Sequence, residues 1–177
     1  MKCILTRVAV FVVGVAAAGT ALAQNNPSLG DTLSFIRDTI GRSAASYNVQ
    51  TTDSATNQTW THQALVRSSD AAADPAACTI KFRWHTQIGD KSTDADQQFS
   101  LTSAKGVRVI SMEDDLARLN ADAGHPTWTT KVAPEVWVVL VQNSNGDFNT
   151  IDSLSRATAD RLATSLLHAA QLCRGGE

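Results

Sequence analysis

Histidines are the side chains of this chain best suited to acid–base chemistry or metal binding. There are four, His62, His85, His125 and His168, and no two stand at the close spacing of a metal-binding motif. His62 and His85 fall on neighbouring predicted strands and could approach in space, but a metal site needs a third ligand. We therefore predict surface imidazoles, no metal site and no cofactor.

Motifs that place a nucleophile or surround a phosphate are absent from the sequence. It contains no Gly-x-Ser-x-Gly, no glycine-rich phosphate loop, no His-Glu-x-x-His and no Cys-x-x-Cys. The sequence therefore gives no catalytic residue. For a hydrolase of another kind, Asp122 and His125, in the segment before Pro126, are the least implausible pair.

Acidic side chains cluster in two places, where their oxygen atoms could bind Ca²⁺. Asp90, Asp94 and Asp96 lie in a predicted polar turn, and residues 113–115 open a possible short helix. An EF-hand loop needs glycine at its sixth position and a terminal glutamate. Neither cluster has them, and the asparagine-rich segment 143–149 has its glycine in the wrong place. A solvated turn, a helix start and a hairpin explain the three segments.

Tryptophans could stack against a carbohydrate or another flat ligand. Trp84 belongs to the inner face of a predicted strand and Trp137 to an apolar run, so both are expected in the core. Trp60 and Trp128 are less constrained by the pattern. With His62 beside Trp60, they are the candidate ligand-binding residues of the sequence.

The N-terminal segment predicts export. Lys2 and Arg7 precede an apolar run that ends in small residues, which is typical of a signal peptide over residues 1–23 with cleavage between Ala23 and Gln24. Residues 24–177 then form a single α+β domain of ordinary size. Its 13 basic and 17 acidic residues give a net charge of −4, which argues against a nucleic-acid partner. No second apolar run is long enough to span a membrane.

Cleavage would remove Cys3 and leave an even pair, Cys78 and Cys173, in an exported protein. Cys78 falls on the apolar face of an alternating strand, and Cys173 falls on the apolar stripe of the last helix. The sequence therefore predicts a disulfide between them. Two separate buried thiols are the alternative that the pattern leaves open.

These side chains must be positioned by an α+β domain. A capped helix begins after Pro27-Ser28 and ends near Gly41, and a last helix covers residues 155–173. The pattern between them predicts a curved antiparallel sheet or a partly open barrel of about seven strands, with a surface loop over residues 68–77. Candidate strands cover residues 47–52, 59–67, 78–88, 97–102, 107–112, 128–132, 135–142 and 148–151.

Three stretches, PSLGDTLSFIRDTIG, ACTIKF and ADRLATSLLHAAQLCRGG, resemble a group of exported bacterial proteins of unknown function. Those proteins share an N-terminal helix, a cysteine-bearing strand and a C-terminal helix that ends in Leu-Cys-Gly. Here Arg174 stands between Cys173 and the glycines, and residues 87–134 have no counterpart. The strand series and terminal helix also resemble pleckstrin-homology-like barrels, but a fold analogy implies no activity.

Together these features predict a periplasmic or secreted, non-catalytic domain that binds an envelope protein or a small ligand. Two alternatives remain open, a secreted hydrolase with an unrecognised site and an inhibitor of an envelope-degrading enzyme. A pocket with converging polar groups would favour the hydrolase, and a protruding rigid loop would favour the inhibitor.

Overall fold

The computed structural model describes residues 27–153 and 155–175, so the predicted cleavage site at Ala23 and Gln24 lies outside the described residues. Within these ranges the chain forms three helices and eight strands. The predicted α+β class, with antiparallel strands between an N-terminal and a C-terminal helix, is confirmed. The strands form two open sheets and close no barrel. No described helix has the length and apolar character needed to cross a membrane.

The first helix follows from its cap and its apolar stripe. The Ser28 hydroxyl accepts a hydrogen bond from the Asp31 amide at 3.2 Å, which satisfies one of the free amides at the start of α1, Leu29–Gly41. Leu33, Ile36 and Ile40 recur at helical spacing and are all buried. The helix therefore presents a continuous apolar face to the core.

The larger sheet has five antiparallel strands in the order β4-β3-β2-β1-β6. Alternate residues of β1, from Ala45 to Thr51, are buried, so one face of this sheet covers a core. Its strands are β1 (Ala44–Asp53), β2 (Gln58–Asp74), β3 (Thr79–Ile88), β4 (Lys91–Ser100) and β6 (Trp128–Ala133).

The smaller sheet is internal. Its strands β5 (Gly106–Ser111), β7 (Trp137–Gln142) and β8 (Phe148–Ser153) pair in the order β5-β7-β8. Val139 and Val141 of β7 join a core with the first and last helices, while Val138 and Leu140 join a second core beneath β1 and β2. All four side chains have no solvent exposure. Residues 136–141 are apolar at every position, a pattern that predicts a strand buried on both faces, and the structure confirms this prediction.

The remaining helices cover opposite sides of the smaller sheet. Helix α2 (Met112–Asp122) packs mainly on β6. Helix α3 (Arg156–Cys173) packs on α1 and on the core that these two helices cover. At its last residue α3 is joined to the residue before β3. Cys78 and Cys173 form a disulfide with an S–S distance of 2.13 Å and a Cα–Cα distance of 5.9 Å. The structure thus contains the predicted pairing.

The prediction of a surface loop over residues 68–77 is wrong, because β2 continues to Asp74. A bulge with Asp70 in the left-handed conformation, at φ 52°, bends the strand and lets it keep pairing with β3. Ala71 and Ala73 then pack against the core. The alanines that suggested a loop are the small residues that let α1 lie close to the bent strand.

Asp94 and Asp96 lie within β4, not in the predicted turn that holds Asp90. Each carboxylate binds a partner across the strand pair. Asp94 lies 2.8 Å from Nδ1 of His85, and Asp96 accepts a 3.1 Å hydrogen bond from Nε of Arg83. Such cross-strand pairs offset the low strand propensity of aspartate.

Candidate functional site

Three aromatic rings meet at the end of the larger sheet where β1 turns into β2. Trp60 stands opposite Thr51 in the register, and Trp128 on β6 stands opposite Asp53. The centroids of the two indole rings lie 5.0 Å apart at an interplanar angle of 79°. The His125 ring lies parallel to Trp128 at 3.9 Å. We call Trp60, Trp128 and His125 the aromatic cluster.

The cluster stands at the edge of the second core. Thr51 is buried, and Trp60 lies on the same face of the sheet as Thr51 because directly paired residues share a face. Trp60 is nevertheless 36 % exposed, and His125 is exposed, while Trp128 is half-buried. Trp128 is therefore the base of the cluster, and the other two rings supply its solvent-facing surface.

A tight turn after α2 holds His125 in place. Gly124, at φ +84°, reverses the chain after the helix, and the His125 amide donates to the Asn120 carbonyl at 2.8 Å. The Asn120 side chain donates to Thr130 Oγ1 at 3.2 Å, which fixes the helix end to β6. The Trp128 amide donates to the His125 carbonyl at 3.1 Å. The backbone hydrogen bonds of this turn thus hold the His125 ring against Trp128.

Polar and apolar side chains flank the cluster along the sheet. Gln58, Trp60 and His62 alternate along β2 and so share one face, with His62 half-buried. Ile88 stands opposite Ala64, the next inward residue of β2, and is 47 % exposed although its strand pattern predicted burial. The sheet's inner face is therefore partly open to solvent at this end.

All three candidate ligand-binding residues of the sequence, Trp60, His62 and Trp128, lie in this region. His62 and His85, which could have approached each other from neighbouring strands, do not do so. His62 stands opposite Val49 on the inner face, whereas His85 binds Asp94 and lies on the outer face because the adjacent residues of its strand point inward. The structure adds His125, whose ring is brought onto Trp128, three residues further along the chain, by the turn between α2 and β6.

Asp53 supplies a negative charge beside the aromatic cluster. A hydrogen bond from the Ala55 amide lowers its pKa most, and hydrogen bonds from Thr56 and Thr127 and the nearby His125 lower it further. The carboxylate is therefore held ionised and oriented within the turn. Asp53 thus supplies one fixed hydrogen-bond acceptor at the rim of the aromatic cluster.

A buried polar group beside the second core was not predicted from sequence. Asp152 of β8 is only 4 % exposed, and its Oδ1 has no hydrogen-bond partner. Burial raises its pKa to about 7, with a further contribution from Asp115, which is bound by Arg118 at 2.8 Å. Burial also raises the pKa of Tyr47, whose hydroxyl lies 3.8 Å from Sδ of Met112.

Asp152 should make folding stability depend on pH. Its pKa is raised from 3.8 to about 7 on folding, so the folded chain keeps a proton that the unfolded chain releases. This contribution is fully present below about pH 4 and declines by about 1.4 kcal/mol per pH unit until it is lost above about pH 7. Asp152→Asn should remove that decline, as measured by urea unfolding at pH 5, 6, 7 and 8.

Asp90→Asn is the matched control, because Asp90 is an exposed carboxylate in the β3–β4 turn. Its stability profile should run parallel to that of the unchanged protein. An Asp152→Asn profile that also runs parallel would show that Asp152 has no raised pKa in the folded protein.

The residues of the hydrolase alternative are engaged elsewhere. Asp122 lies 3.2 Å from Nη1 of Arg118, and His125 stacks on Trp128, so no hydrogen bond joins Asp122 to His125. Among the described residues, no three or more His, Cys, Asp or Glu side chains are grouped so that they could hold a metal ion. In the acidic cluster at residues 113–115, Glu113 is engaged within the protein, because it accepts a hydrogen bond from the Val132 amide at 2.8 Å.

The other two tryptophans pack against the cores, as predicted, but neither is fully buried. Arg156 lies over the Trp137 ring at 4.1 Å, and Trp84 Nε1 is buried without a partner.

Comparison of the chain with family models, with curated proteins and with solved structures found no match.

Proposed function

We propose that this protein is an exported, non-catalytic binding domain of the cell envelope, and that the aromatic cluster holds a neutral saccharide. The observation that carries the proposal is the meeting of Trp60, Trp128 and His125 on a partly open sheet face. Exposed aromatic groups beside polar side chains are typical of ligand sites.

Export is supported by the disulfide and by the predicted signal peptide. Disulfides persist in oxidising compartments and are rare where thiols are kept reduced. The Cys78–Cys173 bond closes a long segment of the chain, so it is part of the tertiary structure. An envelope or extracellular location would keep it oxidised.

A saccharide suits the chemistry of the cluster. The face of an aromatic ring carries negative charge density, which attracts the weakly positive C–H groups on one side of a sugar ring. Gln58 and His62, on either side of Trp60, can exchange hydrogen bonds with hydroxyl groups, and Asp53 can accept one. The region thus offers apolar stacking and directional polar contacts together.

Binding should be measured by calorimetry with short oligosaccharides of N-acetylglucosamine and, separately, of glucose. Trp60→Ala should weaken the binding of at least one series about tenfold or more, because a tryptophan at the centre of a binding surface commonly dominates its affinity. Trp60 lies at the rim of the core, so we expect the variant to fold.

Leu167→Ala is the matched control, since Leu167 is another large exposed apolar residue, on α3. It should bind as the unchanged protein does. The proposal is wrong if neither series binds, or if Trp60→Ala binds as tightly as Leu167→Ala.

A further inference from the structure

A concave region lies far from the aromatic cluster. A cavity of about 540 Å³ opens between the end of α1 and the start of α3. It lies at the start of β1, whereas the cluster lies at its end, roughly 30 Å away along the extended strand. Its walls include Phe35, Arg42, Asp152, Thr158, Arg161 and Leu162.

Two arginines in this wall have no charged partner. No hydrogen bond or ion pair joins the guanidinium group of Arg42 or Arg161 to a described residue. Asp38 in the same wall is bound by Arg37 at 2.7 Å. Arg161 instead lies over the Phe35 ring at 5.1 Å, which holds its planar group at the cavity wall. Two unneutralised cations therefore face one cavity in an acidic protein.

Asp152 adds a third polar feature. It forms part of the cavity wall, is almost fully buried, and leaves Oδ1 without a partner. Because burial raises its pKa to about 7, the carboxyl is mostly uncharged at pH 6 and does not repel an anion. Ser43 donates to the Asp152 carbonyl and fixes the strand there.

We propose that this cavity binds a small organic anion, a carboxylate or a phosphate. Arg42 and Arg161 hold its charged group, since guanidinium groups match the oxygen atoms of both anions in bidentate geometry. The apolar part of the ligand contacts Phe35 and Leu162, which lie in the same wall. The site is independent of saccharide binding at the aromatic cluster.

The test is a titration at pH 6 followed by the backbone amide NMR spectrum. The probes are inorganic phosphate, acetate and hexanoate. Saturable shifts should occur at the end of α1 and the start of α3, with hexanoate bound more tightly than acetate because of the apolar wall. The relative affinities of acetate and phosphate decide which charged group the site prefers.

Arg42→Gln and Arg161→Gln should each weaken binding about tenfold. Arg108→Gln should leave binding unchanged, because it removes an exposed arginine that also lies over a phenylalanine ring but is outside the cavity wall. The same spectra show whether each variant is folded. The proposal is overturned if no probe saturates, if the shifts lie elsewhere, or if Arg108→Gln weakens binding as much as the two cavity variants.

Discussion

Val138→Asp and Val139→Asp are each expected to abolish stable folding. The two side chains point into different cores, and neither has any solvent exposure. An aspartate at either position would be buried without a cationic partner, which costs about 4 kcal/mol or more. That is a large share of the stability of a typical domain, which is about 5 to 15 kcal/mol. Circular dichroism and urea unfolding should show an unfolded or severely destabilised chain in both cases.

Ile88→Asp is the matched control, because it makes a comparable apolar-to-acid change on a strand at a site that is 47 % exposed. It should cost no more than about 1 kcal/mol. If either valine variant is as stable as this control, β7 has an exposed face and the arrangement of two cores around it is wrong.

The elements that were predicted well are those whose signals are local. The apolar run of β7 predicted burial on both faces, and the Asn-Gly turn after it predicted the hairpin to β8. Ser28 predicted the start of α1, because its side chain caps the helix whatever lies around it. Each signal spans a few residues and needs no knowledge of the rest of the fold.

The errors arose where a distant contact overrides local preference. Ala71 and Ala73 suggested a loop by composition, yet they continue β2 because they pack against the core under α1. Asp94 and Asp96 suggested a turn, yet each is held in β4 by a partner on β3. Neither partner is recognisable before the strand register is known.

The candidate site, too, was predicted where the signal is local and missed where it depends on distant contacts. Alternation along β2 placed Trp60 and His62 on one face, but it could not show that the face stays open at that end. His125 reached the cluster only through the turn between α2 and β6. Asp152 could have been suspected, because it pairs with Val138 on a strand buried on both faces. Its missing partner depends on packing that no sequence pattern carries.

Removing the disulfide should cost about 4 kcal/mol of folding free energy. The bond joins residues 95 apart, and opening so long a loop restores much conformational entropy to the unfolded chain. For a domain of this size the melting temperature should fall by roughly 10 °C. Cys78→Ala with Cys173→Ala, measured by thermal unfolding, should show this loss while the variant still folds, because the two cores are otherwise intact.

Cys78→Ala alone is the informative comparison. It breaks the same bond, so most of the loss should already be present, and the second substitution should add only the smaller cost of removing one more partly buried sulfur atom. Titration of the unfolded, unreduced chain beginning at Gln24 should find no free thiol. Two free thiols would show that Cys78 and Cys173 are separate residues, and the end of α3 would then be held against β3 by packing alone.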